Sequence, residues 1–154
     1  MKKLVFLLVW GLCLSVNGQT KRTELFRQKI GGVDVLQTKS EDEVSGVRIG
    51  TMLMFQNQKY TSITDLKYIA VGNKEDLNTL ISKLEDALAY SKSGEKSQME
   101  FKNEKSKYSI EADGANGRIT LNSYVKVSGY IDVLPKNIIK IIENLKVIKD
   151  NYDK

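Results

Sequence analysis

Two stretches of this chain place apolar residues at helical spacing, and each needs another part of the molecule to cover it. Leu77, Leu80, Ile81, Leu84 and Leu88 follow at i, i+3, i+4, i+7 and i+11, which puts all five on one stripe of a helix. Ile138, Ile141, Ile142, Leu145 and Ile148 form a second stripe, with Lys136, Lys140 and Lys146 mainly off it and Ile139 as an apolar exception. Isolated helices of this length are marginal in water, so their stability must come from packing. Both segments carry start signals. Asn73 can accept a hydrogen bond from a free amide of the first turn, and Glu75 and Asp76 set negative charge at the positive end of the helix dipole. Ser93-Gly94 closes the first helix. Pro135 suits a first helical turn, where its missing N–H costs nothing.

The rest of the chain reads as strands. Residues 19–24 form a polar lead-in. Residues 25–38 hold one or two strands broken at Gly31-Gly32, and residues 39–46 form an acidic loop. Val47, Ile49, Thr51, Leu53 and Phe55 alternate with Arg48, Gly50, Met52, Met54 and Gln56, the period of a strand with one apolar face. Met52 and Met54 on the opposite parity predict that a helix covers that face too, with a partner surface as the sharper alternative. Leu66 to Val71 is a further strand. Met99 and Phe101 alternate with polar residues, and Tyr108, Ile110 and Ala112 share a face. After the turn from Asp113-Gly114 to Asn116-Gly117, Ile119, Leu121, Val125 and Val127 line one side. Tyr130 to Val133 completes an antiparallel meander with one wet face.

The predicted fold class is therefore α+β, with antiparallel sheets and two amphipathic helices. The halves 25–93 and 97–150 resemble each other. Tyr68-Ile69-Ala70-Val71 precedes the first helix and Tyr130-Ile131-Asp132-Val133 the second. With one deletion Leu77 matches Ile138, Leu80 matches Ile141, Ile81 matches Ile142 and Leu84 matches Leu145. This reads as two pseudo-repeated strand-strand-strand-helix halves within a single domain spanning 19–154. The element order is similar to that of whirly-type single-stranded-DNA-binding proteins, with no motif shared.

Lys2 and Lys3, the apolar run Leu4 to Leu14, and Ser15 to Gly18 follow the order of a secretion signal. The run is shorter than the about 20 residues a bilayer span needs. A retained anchor or a lipidated Cys13 are the lesser alternatives. Cleavage after Gly18 leaves 136 of 154 residues and lowers the formal net charge from +5 to +3, because Lys2 and Lys3 leave. The only Trp, Trp10, and the only Cys, Cys13, leave as well, and the chain has no His. The expected address is the periplasm or the extracellular space, with no disulfide and no membrane span after cleavage.

This composition narrows the chemistry. Without His and Cys the processed chain has no imidazole base, no thiolate nucleophile and no thiolate zinc site. Ser97, Ser106, Ser109 and Ser123 stand in no nucleophile motif, and no phosphate loop is present. Glu41-Asp42-Glu43 lacks calcium-loop spacing and reads as a solvated loop. Glu111 with Asp113 as a sugar-cleaving pair lacks the aromatic cleft that role requires. No catalytic residue, metal ligand or cofactor is expected. The polar face of the second meander offers the candidate ligand-binding residues Lys107, Arg118, Asn122, Tyr124 and Lys126, suited to a strand, a sugar or an acidic ligand.

The expected function is that of an exported, non-catalytic binding domain for a protein or envelope component. The alternatives are a small hydrolase using carboxylate, Lys, Tyr or Ser groups, and a whirly-like nucleic-acid-binding domain. Mild charge and the lack of aromatic-basic interleaving disfavour nucleic acid.

Overall fold

A computed structural model of the chain describes residues 20–42, 45–60, 62 and 64–153. The leader expected at 1–18 lies outside the described residues, as does Glu43. Four strands come first: β1 (Lys21–Ile30), β2 (Val33–Asp42), β3 (Gly46–Gln56) and β4 (Leu66–Val71). Helix α1 (Lys74–Tyr90) follows. Then come β5 (Gln98–Asn103), β6 (Tyr108–Asp113), β7 (Arg118–Ser123) and β8 (Gly129–Val133). Helix α2 (Pro135–Lys149) and a short 3-10 turn (Asp150–Asp153) end the described chain. Each set of four strands is one antiparallel meander, giving sheet 1 (β1-β2-β3-β4) and sheet 2 (β5-β6-β7-β8). The fold is α+β, and residues 25–38, read as one or two strands, hold parts of two, β1 and β2, so each half has four strands rather than the three of the expected repeat unit.

The helices begin and bury themselves as their sequences dictate. The Asn73 side chain accepts from the Asp76 amide at 2.7 Å, and Pro135 occupies the first turn of α2. Leu77, Leu80, Leu84, Ile138, Ile141 and Leu145 are fully buried, while Ile139 is exposed. Fully burying such a side chain stabilises by about 1.5–3 kcal/mol, so these stripes carry much of the core.

The helices cross between halves. α1 packs on β5 and β6, α2 packs on β1 and β2, and the two helices pack on each other. Polar bonds fix both crossings. Lys105, between β5 and β6, pairs with Asp76 of α1 at 3.1 Å, and Lys83 of α1 donates to the Lys102 carbonyl at 2.7 Å. Buried Gln37 of β2 donates to the Ile148 carbonyl of α2 at 3.0 Å, and Tyr152 donates to Thr51 of β3 at 2.9 Å. Burial pushes the Tyr152 hydroxyl above its ordinary value, despite the Thr51 hydrogen bond. The positions matched between halves take matching places, since Ile69 and Val71 on β4 and Ile131 and Val133 on β8 all face one buried cluster. This is a correspondence of element order and burial and establishes no duplication.

The sheets meet where β4 approaches β7 and β3 approaches β8. Ser123 donates to the Tyr68 carbonyl at 2.7 Å. The segment after β3 shields the outer edge of β8. The Gln58 amide donates to the Tyr130 carbonyl at 2.9 Å, and the Tyr130 amide donates to Asn57 at 3.2 Å. Fully buried Asn57 also donates to Asp65 at 2.7 Å, and Asp65 pairs with Lys67 at 2.9 Å. A free strand edge is a liability, and this cover removes one.

Three local expectations are corrected. β1 begins at Lys21, inside the supposed polar lead-in, and β2 runs to Asp42, through most of the supposed acidic loop. Glu41 there is bonded to Lys39 at 2.8 Å, a pair on one side of the strand. The second meander's long strand stops at Ser123, which is buried and turned to Tyr68. Val127 is therefore an exposed loop residue.

Two outcomes are expected. Leu84→Ala should cost about 2–5 kcal/mol in urea unfolding. Val147→Ala, at a helix position 69% exposed, should change stability by less than about 0.5 kcal/mol. The second concerns Asp65, whose carboxyl the Asn57 and Lys67 hydrogen bonds hold below its ordinary range. A depressed folded value gives stability that is present above the unfolded value and lost as pH falls. Asp65→Asn should thus lower the urea midpoint at neutral pH and flatten its fall on acidification.

Candidate binding faces

The register of sheet 2 arranges its outer face in rows. Glu100, Glu111, Thr120 and Asp132 stand side by side across β5 to β8, and Lys102, Ser109, Asn122 and Tyr130 form the next row. Gln98, Asp113 and Arg118 form the third. Carboxylates outnumber cations here: Glu100, Glu111, Asp113 and Asp132 stand against Lys102 and Arg118. Most of the polar groups are bonded across strands. Asn122 donates to Glu111 at 2.8 Å and to Ser109 at 3.3 Å. Thr120 donates to Asp132 at 2.6 Å, and Lys102 pairs with Glu100 at 3.1 Å. Burial raises the Glu100 carboxyl, but hydrogen bonds from Ser109 and Lys102 outweigh it and hold the group below its ordinary value.

The five candidate residues do not form one site. Asn122 and Arg118 lie on the face, but Arg118 is at the other end of β7, about 13 Å along the strand. Lys107 sits in the turn between β5 and β6 with φ 53°, and Lys126 sits in the loop after β7 with φ 64°. Tyr124 is also in that loop. Its amide donates to the Lys107 carbonyl at 2.8 Å, and its hydroxyl reaches Ser109 at 2.9 Å. Lys107 and Tyr124 share a surface pocket of about 360 Å³ with Lys102, Asn103, Glu104 and Tyr108. The structure thus joins Lys107, Asn122 and Tyr124 through one hydrogen-bonded neighbourhood and leaves Arg118 outside it.

The chemistry considered for these groups has structural counterparts. Ser109 and Ser123 are fully buried, and Ser97 is bonded to Tyr90. Asp113 accepts the Ala115 and Asn116 amides at 3.0 Å. The Asn116 hydrogen bonds hold its carboxyl below the ordinary range, so it acts as a turn cap beside Glu111. Among the described residues no group of three acidic, His or Cys side chains is placed to hold a metal. No helix among them is long and apolar enough to cross a membrane.

The outer face of sheet 1 is different, and the sequence reading raised it only as the alternative to helical cover over Met52 and Met54. One row holds Arg22, Ser40 and Arg48, the next Glu24, Thr38 and Gly50. Beyond them lie Arg27, Leu36, Met52 and Ala70, then Lys29, Asp34, Met54 and Tyr68. A bulge between Glu24 and Phe26 keeps Glu24 and Arg27 on the same side, paired at 3.4 Å. Leu36, Met52, Met54 and Tyr68 are half-buried. Arg22, Leu36, Arg48, Met52 and Ala70 line a groove of about 400 Å³. Helix α2 packs on the opposite face of this sheet. Met52 and Met54 are therefore sheltered by cross-strand neighbours, contrary to the expected helical cover. Among the described residues Arg22, Lys29 and Arg48 form no ion pair. The signal available in the sequence was the apolar content of β3's second parity.

Comparison with known proteins returned no match to a protein-family model, to a curated protein or to a solved structure.

Removal of the Ser109 hydroxyl should release Glu100. In Ser109→Ala the Glu100 carboxyl should titrate at higher pH than in the parent, read by NMR of the side-chain carboxyl. An unchanged midpoint would show that Ser109 does not hold it.

Proposed function

We propose that this chain is an exported, non-catalytic binding domain that engages a protein or envelope component through the outer face of sheet 1. One observation carries the reading. Half-buried Leu36, Met52, Met54 and Tyr68 form an apolar strip left open by the helices, with Arg22 and Arg48, which form no ion pair among the described residues, at one end. Apolar surface flanked by guanidinium groups is the composition of a recognition patch, since Met adapts its shape to a partner and Arg supplies directed hydrogen bonds. Export rests on the leader-like residues 1–18.

The other classes find less support. A Ser-based hydrolase needs an accessible hydroxyl beside a base, whereas Ser109 is fully buried among Tyr124 and Asn122. A nucleic-acid binder needs cations interleaved with aromatic platforms. The outer face of sheet 2 is acidic, and that of sheet 1 has Tyr68 as its aromatic residue.

A photo-crosslinking residue placed at position 52 tests the reading in the native compartment. A discrete adduct is expected at position 52, weakened in an Arg22→Glu/Arg48→Glu background, and none at Glu85 on the wet side of α1. Equal labelling from both positions, or none from position 52, would contradict it.

A further inference from the structure

We infer that the partner of the sheet 1 outer face is the sheet 2 outer face of a second copy of this chain, so that copies associate head to tail. The inference rests on the reading of sheet 1 as the binding face. Its carrying observation is that the two outer faces have opposite charge. Arg22 and Arg48 stand in one row of sheet 1, separated by Ser40. Glu111 and Asp132 stand in one row of sheet 2, separated by Thr120. Each pair is two strands apart, about 10 Å at the common strand spacing, so both arginines can meet carboxylates at once. Oppositely charged faces steer encounter and fix orientation.

The geometry also sets the form of the assembly. Both helices pack on the inner sides of the sheets, so the outer faces both turn away from the core. A contact between two different faces is heterologous, and it continues from copy to copy unless a rotation closes it. Four strands by six residues give a face of roughly 400 Å², half the about 800 Å² that a standard interface buries on each partner. The association should therefore be weak, concentration-dependent and sensitive to salt.

Sedimentation velocity on protein expressed from the full sequence tests this. In low salt the average mass should rise with concentration from one copy towards two and beyond, and high salt should return it to one. Arg22→Ala/Arg48→Ala and Glu111→Gln/Asp132→Asn should each remain single copies. Mixed in equal amounts they should form a dimer that grows no further, because each supplies the face the other lacks. If circular dichroism shows the second variant unfolded, Asp132→Asn alone replaces it. A single-copy mass at every concentration in low salt, variants that still associate, or a mixture that stays monomeric would overturn the inference. A position-52 adduct containing some other protein, together with a single-copy mass, would overturn self-association and leave the binding-domain reading standing.

Discussion

The helix pair is the constraint on which the rest of the molecule depends. α1 and α2 pack on each other, and each lies on the sheet formed by the other half of the chain. Neither half can then bury its own helix stripe alone. Leu77, Leu80 and Leu84 need the second sheet, and Ile141, Leu145 and Ile148 need the first. Short polar links lock the crossing, from Lys105 to Asp76 at one end and from Gln37 to the Ile148 carbonyl at the other. Without a disulfide-forming thiol in the described chain, packing of this kind is what holds it.

The same constraint decides which surfaces are free to act. Both sheets spend their inner faces on the helices, and the Asn57 segment spends the outer edge of β8. What is left is a pair of outer faces with opposite character. Sheet 2 carries cross-bonded carboxylates, while sheet 1 carries half-buried apolar residues and the cations Arg22, Lys29 and Arg48, which form no ion pair among the described residues. The proposed function follows from that remainder, because such cations beside apolar surface gain more from a partner than a satisfied hydrogen-bond network does.

The elements with strong periodicity were legible in the sequence. Both helix stripes, the Asn73 cap and Pro135 stand where spacing put them. The limits of the strands were less legible. β1 and β2 extend through Lys21 to Glu24 and Lys39 to Asp42 because pairing with neighbouring strands holds residues with no apolar alternation. The break at Ser123 depends on Tyr68, distant in sequence. The candidate face suffered for the same reason. Lys107, Tyr124 and Lys126 were assigned to one strand side by counting, but turns hold them. The charge of each face was hidden because it is a property of register. Glu100 and Asp132 come from β5 and β8 and meet Glu111 only after the meander forms.

Native-state hydrogen exchange on the protein tests the crossed core most directly. The amides of Leu80 and Leu84 in α1, Ile141 and Leu145 in α2, and Leu53 and Leu121 in the two sheets should share one opening free energy and lose it together in denaturant. If the chain instead opens as two units, with α1 keeping step with sheet 1 and α2 with sheet 2, the halves stand independently and the account is wrong.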